Sequence, residues 1–244
     1  MLFPIGDDNS DRIRTPIINY LLIAINILVF VFLQALGSDT AFTYSFSCVP
    51  LEIVTGHDVI TSSRMVEDAL GNRILIPGLG ETPGSVYLTL VTSLFMHGGI
   101  AHILGNMLYL WIFGDNLENI LGHARYLFFY LLCGVIASLC HVFATKFLGQ
   151  SMLIPSLGAS GAISGVLGGY VLLFPKRRVT VIFLRYPMNV NAIFAIGIWI
   201  VFQLISGLGM LGGSEAGGVA YAAHIGGFIA GIALIKFFVP KVAV

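Results

Sequence analysis

A chain of 244 residues that is 57% hydrophobic and only 10% charged cannot coat itself as a soluble domain does, since such domains carry about 25% charged residues. The expected solvent is lipid, and with a formal net charge of zero nothing points to nucleic acid. Three cysteines, Cys48, Cys133 and Cys140, predict neither a disulfide framework nor a metal site; the last two share one apolar segment and read as small core residues.

Crossing ~30 Å of hydrocarbon takes ~20 apolar residues in a helix. Six segments meet or approach this length, at residues 17–36, 99–119, 126–148, 160–174, 190–208 and 219–239. They predict an all-α, polytopic bundle of six spans, one domain over residues 1–244, with a long loop at 37–98 between the first two. The first segment follows Arg12 and Arg14 and ends in a cleavage-like Ala35-Leu36-Gly37. Its apolar run exceeds the ~7–15 residues of a signal core, so it is read as an uncleaved anchor. The 37–98 loop holds Pro50, Pro77 and Pro83 with apolar patches; loops of this length are functional or carry short helices of their own.

Basic residues orient the bundle. Arg12 and Arg14, then Arg125, then Lys176, Arg177, Arg178 and Arg185, then Lys236 and Lys241 fall on one side. The other side has Arg64, Arg73 and Lys146 against seven acids, Asp39, Glu52, Asp58, Glu67, Asp68, Glu81 and Glu215. Both termini are therefore predicted to be cytoplasmic and the 37–98 loop external. The second, fourth and sixth segments then all start at the external side. That topology gathers His97, His102 and Asn106 with Ser160 and His224 at one depth. His102 and Asn106, four apart, share a helix face.

The fourth segment runs only from Ser160 to Phe174-Pro175-Lys176. Anchored inside by its basic end, it stops short of the outer surface, so Ser160 is sunk and residues 154–158 dip to meet it. Irregular backbone at that depth needs protein or water around it. Gly161, Gly165 and Gly169 on this segment, and Gly227 and Gly231 on the sixth, form small-residue ladders that favour close helix contact. Such contact brings Ser160 toward His224.

A serine hydroxyl becomes a nucleophile when a base takes its proton, and His224 is the candidate. Gly158, the Ser160 amide at a helix start, His102 and Asn106 are candidate oxyanion donors. Asp115 and Glu118 lie at the far end of the second segment, so the unit reads as a Ser–His dyad. His97 either supports the site or lines its mouth. His57 and His123 read as solvated, His141 as a buried or cavity-facing polar group, and Glu118 as interfacial or bonded to nearby backbone. In the fifth segment, bulky Phe194, Trp199 and Phe202 and the glycines that follow (Gly207, Gly209, Gly212, Gly213, Gly217 and Gly218) suggest a movable element; the alternative is a passive connection with Trp199 facing lipid. Two other classes are open on these residues alone: a non-catalytic escort for membrane helices, and a proton or metal transporter using His97, His102 and His224.

Three ordered motifs bear on that choice. They are His102-Ile103-Leu104-Gly105-Asn106, Gly158-Ala159-Ser160-Gly161, and Ala223-His224-Ile225-Gly226-Gly227 running on to Gly231. The chain resembles the rhomboid intramembrane serine proteases over essentially its whole length. The resemblance implies Ser160 as nucleophile, His224 as general base, and His102, Asn106 and the Ser160 amide as the oxyanion site. It further implies cleavage of single-span membrane proteins near the outer boundary of a bacterial-type plasma membrane, without metal or cofactor. Two common features are missing: Leu88-Thr89 stands near the place of a Trp-Arg pair, and Ser164 stands where some members have a tyrosine stacked on the histidine. Anchoring of the loop and positioning of the histidine are thereby left open.

Overall fold

In the computed structural model, residues 3–67, 73–211 and 220–241 are described. The chain opens with strand β1 (Phe3–Asp7) and helix α1 (Ile17–Leu28), which a π-helical turn, Val29–Leu33, prolongs. The long connection folds locally. It carries α2 (Thr40–Ser45), α3 (Pro50–Thr55), a hairpin of β2 (Arg64–Glu67) and β3 (Arg73–Ile76), and α4 (Thr89–Thr92). Then come α5 (Ile100–Leu121), α6 (His123–Phe147) and α7 (Ser160–Leu173). Strands β4 (Arg178–Phe183) and β5 (Tyr186–Asn191) precede α8 (Ala192–Leu211) and α9 (Tyr221–Phe238).

The helices follow the apolar segments because a chain in hydrocarbon must satisfy its backbone internally. By length and composition α6 and α9 can each cross a membrane, and Val86–Phe95 with α5, bent by 81°, form a third candidate; Ile17–Leu33, Ser160–Leu173 and Ala192–Gly207 are shorter apolar helices. As its sequence predicts, α7 is short, at 14 residues. Every residue from Gly161 to Tyr170 is buried, which is the pattern of a helix that is apolar on all sides and central to its bundle.

Glycine sets how closely α9 lies on α7. A Cβ at Gly231 would sit 2.0 Å from the Gly165 carbonyl oxygen, and one at Gly227 would sit 2.1 Å from that of Gly161. The two ladders thus face each other directly. Cys133 and Cys140 of α6 fill the other glycine notches, with Cβ atoms 2.4 and 2.5 Å from the places a Cβ would take at Gly165 and Gly226. In the long connection, burial pushes the Cys48 thiol up to about 12, so it stays an unreactive core group.

The all-α expectation fails at two places, the β2–β3 hairpin and a three-stranded antiparallel sheet in the order β1-β4-β5. Residues 178–183 alternate, with Val179 and Val181 buried and Arg178 exposed, a period-2 pattern within the connection between the fourth and fifth segments. The two turn residues, Leu184 and Arg185, have φ of 47° and 77°. Positive φ at both central positions marks the turn that joins twisted strands, usually written Asn-Gly; a Leu-Arg turn carries no such signal. Because β5 reaches Asn191, α8 begins at Ala192 rather than at 190.

At this sheet end the polar groups are tied off. The Glu118 carboxylate accepts from the amides of Ile18 (2.9 Å) and Asn19 (2.7 Å), which lie at the uncapped start of α1, and pairs with His123 at 2.5 Å. His123 is therefore a partner of Glu118 as well as a partly solvated residue, its side chain 43% exposed. Asn119 accepts from the amides of Ile13 and Arg14, both at 3.0 Å, and Arg12 bridges to Asp115 at 2.9 Å. Arg177 donates to Asn116 and Asp11, and Asp7 accepts from Tyr170 (2.5 Å) and Asn116 (2.8 Å). Asp115 and Glu118 thus do their work at the opposite end of α5 from His102.

Candidate active site

The backbone of the descending segment before α7 is met by protein. Cys48 and Ser156 exchange amide–carbonyl bonds of 2.9 and 2.8 Å, Leu51 donates to the Met152 carbonyl at 3.0 Å, and Gly158 donates to that of Ser93 at 2.9 Å. Gly158 has φ of +120°, a conformation that a side chain would strain. A Cβ there would also lie 2.8 Å from His102 Nε2 and 3.7 Å from Asn106 Nδ2. The bare backbone of Gly158 therefore stands directly against both side chains. Ser160 is the first residue of α7, where backbone amides have no partner within the helix.

Ser160 is half-buried. Its Oγ lies 2.8 Å from His224 Nε2, on the first turn of α9. The other ring nitrogen of His224, Nδ1, is 2.7 Å from Gln203 Oε1 on α8. Trp199 lies across the imidazole with ring centroids 6.0 Å apart, and Tyr221 approaches it edge-on at 6.4 Å. Ser164 bonds back to the Ser160 carbonyl at 2.6 Å. The aromatic contact that Ser164 cannot supply comes instead from α8 and α9.

His97 is fully buried beside His102, with ring centroids 5.2 Å apart, and the edge of Phe30 faces it. Gln34 clamps its backbone, donating to the His97 carbonyl (2.9 Å) and accepting from its amide (3.0 Å). Neither ring nitrogen of His97, nor Asn106 Nδ2, has a protein partner among the described residues. His102 Nδ1 accepts from the Gly98 amide at 3.4 Å.

The sequence-derived set thus divides in three. Ser160 meets His224; Gly158 meets His102 and Asn106, with His97 behind them; Gly161, Gly227 and Gly231 hold α7 and α9 together without touching the polar cluster. Sequence reasoning missed Gln203 and Gln34. Each had a signal, a polar side chain in an apolar run, and Gln203 stands one turn after Trp199 on the same face. Trp199 is half-buried and contacts Tyr109 and His224, whereas Phe194 and Phe202 are exposed. The glycines Gly212, Gly213, Gly217 and Gly218, read as a movable loop, lie outside the described residues. A hydroxyl in contact with an imidazole nitrogen, beside free donors, can attack a carbonyl carbon while the ring takes its proton.

Residues 84–241 match the Rhomboid domain family. The mitochondrial Rhomboid protein 1 of Saccharomyces cerevisiae is 32% identical over 155 residues, covering 63% of this chain and 42% of that protein. Rhomboid protease GluP of Bacillus subtilis is 30% identical over 218 residues, 88% of this chain and 34% of that protein. The mitochondrial presenilin-associated rhomboid-like protein of Bos taurus is 33% identical over 171 residues, 68% of this chain and 42% of that protein. The chain spans between 34% and 42% of the length of these relatives. The family match runs from the last part of the long connection through the whole of α9, and with these relatives beside it the chain belongs to the rhomboid family of integral membrane proteins.

Proposed function

We propose that this protein is a serine endopeptidase that cuts single-span membrane proteins in or near their membrane segments. The observation that carries the proposal is the 2.8 Å contact between Ser160 Oγ and His224 Nε2, built from two helices and set among unpartnered donors. Ser160 Oγ attacks the scissile carbonyl carbon as its proton passes to His224 Nε2. The carbonyl oxygen becomes an oxyanion, held by the Ser160 amide and the side chains of His102 and Asn106 against the bare backbone of Gly158. His224 then gives its proton to the leaving amine, and water attacks the acyl-enzyme by the same route. The route uses no metal and no cofactor.

The six apolar helices are proposed as six spans, with both termini on the cytoplasmic side and the site opening toward the outer face of a bacterial-type plasma membrane. The distribution of basic residues supports that orientation. Cysteines placed near Glu67 should react with an impermeant thiol reagent from outside intact cells, and cysteines near Arg177 should not.

The decisive test is labelling of the full chain in detergent with a fluorophosphonate. One label per chain, at Ser160, is expected, with labelling and cleavage of a single-span substrate both lost in Ser160→Ala and His224→Ala. Undiminished cleavage by folded Ser160→Ala would overturn the proposal.

A further inference from the structure

We propose that Gln203 is a positioning residue for this reaction. Reaching across from α8, its side-chain oxygen holds His224 in the one neutral tautomer whose Nε2 can take the Ser160 proton. The proposal rests on the Ser160–His224 reading above and adds to it a third residue that is neither aspartate nor glutamate.

A neutral imidazole carries one N–H, and its two nitrogens are then a donor and an acceptor. The tautomer present is set by the hydrogen bond made at the nitrogen away from the chemistry. For His224 the reacting nitrogen is Nε2, 2.8 Å from Ser160 Oγ. It must present a lone pair, so the proton belongs on Nδ1 and needs an acceptor there. Gln203 Oε1 lies 2.7 Å from Nδ1. The opposite amide orientation would aim an NH₂ at Nδ1, move the ring proton to Nε2, and make the serine hydroxyl an acceptor rather than a donor. Only an oxygen facing Nδ1 leaves a base.

The choice of an amide follows from the surroundings. Gln203 is 6% exposed on an apolar helix, where an ionised carboxylate would be buried without a counter-charge. An amide supplies the acceptor without the charge. The flanking rings of Trp199 and Tyr221 pack on the imidazole and restrict its tilt, but an indole N–H is donor-only and cannot replace the amide oxygen. The contact also crosses between differently held helices. Ser160 and His224 are fixed to each other through the glycine-to-carbonyl packing of α7 on α9, whereas Gln203 comes from α8. The tautomer of the base therefore depends on how α8 is seated.

The test uses the full chain in detergent, with Gln203→Leu, which keeps the bulk and removes the acceptor, and Gln203→Glu, which restores an acceptor oxygen. Nitrogen-15 spectra of labelled histidine read the tautomer of His224 directly, and fluorophosphonate labelling reads the reactivity of Ser160. In the unaltered protein His224 should carry its proton on Nδ1. Gln203→Leu should lose that preference and slow both labelling and kcat by about 10- to 10²-fold, a part of the ~10²- to 10⁴-fold that a whole general base contributes, with KM and melting temperature near those of the parent. Gln203→Glu should recover most of the rate together with the proton on Nδ1; rate recovered without that proton would mark a purely structural role for the side chain and overturn the proposal.

A folded Gln203→Leu protein that labels at the parent rate overturns the proposal, and so does a parent protein with its proton on Nε2. The second measurement decides the matter even if Gln203→Leu does not fold. A folded parent protein that takes no label at Ser160 instead sinks the dyad reading, while the tautomer still reports on Gln203.

Discussion

Both ends of the bundle bury polar side chains, and they treat them in opposite ways. At the sheet end Asp7, Arg12, Asp115, Asn116, Glu118, Asn119, Arg177 and Tyr170 are all paired, and none has a buried polar side-chain atom without a partner. At the other end Asn106 Nδ2 and both ring nitrogens of His97 have no protein partner among the described residues. Leaving a buried polar group unsatisfied costs about 1–3 kcal/mol. Saturated networks lock a fold; at the other end the unpartnered Asn106 amide stands beside the bare backbone of Gly158, two residues before Ser160. The contrast separates paired from unpaired polarity within one membrane domain.

The largest effect should come from opening the saturated end. Glu118 is fully buried and serves as the missing cap of α1 through the amides of Ile18 and Asn19. Glu118→Ala strands both amides and removes the partner of His123. A loss of about 2–5 kcal/mol in stability is expected, the range for breaking one side of a buried polar network. Thermal melts in detergent would measure it. Below the lowered midpoint, fluorophosphonate labelling of Ser160 should stay near the parent rate, because the change is confined to the sheet end. A protein that melts normally but labels slowly would mean that the two ends are not separable in this way.

The sequence displayed the reactive end far better than the saturated one, for a physical reason. Ser160, His224, His102 and Asn106 stand out because they are polar residues inside apolar runs, and helix topology alone brings them to one depth. Gly227 and Gly231 announced close packing through their spacing. The sheet-end network has no such period. Asp7 meets Tyr170 across most of the chain, and Asn119 binds the backbone at residues 13 and 14, pairings made only once the helices have packed. The β4–β5 turn was hidden because Leu184 and Arg185 take conformations usually given to Asn and Gly. Gln203 was legible as a polar residue in the fifth apolar run, but its partner was not, since only the packing of α8 on α9 brings it to His224.

At the reactive end the complementary break is Asn106→Ala. Its Nδ2 has no protein partner and lies beside the bare backbone of Gly158, so its removal strands no bonded group there and should leave the melting temperature nearly unchanged. If the amide acts on the developing oxyanion, kcat should fall by about 10- to 10³-fold with little change in KM. Steady-state cleavage of a single-span peptide substrate in detergent would separate the two constants. An unaltered kcat would transfer Asn106 to the structural class and blur the distinction between the ends.

The smallest expected effect tests whether the saturated end is saturated at every pH. Asp7 lies on β1, outside the spanning helices. Burial raises its carboxyl from 3.8 to about 7, with nearby Asp115 adding to the rise, while the hydrogen bond from Tyr170, the Arg177 charge and the bond from Asn116 oppose it. An acid whose pKa is higher in the folded state binds its proton more tightly there. Its contribution to stability is therefore complete below about pH 4 and is lost as the pH rises through about 7. Asp7→Asn keeps the neutral form throughout. Relative to the parent protein, it should match in melting temperature near pH 4 and gain steadily toward pH 8, and β1 should become harder to strip from β4 by added protease over the same range. Taking the difference between the two proteins cancels the titrating groups that do not interact with Asp7, so the window belongs to Asp7 and its neighbour Asp115. A difference that stays constant from pH 4 to pH 8 would mean that the donors around Asp7 outweigh its burial and keep it ionised, making the sheet end an ion-paired lock rather than a protonated one.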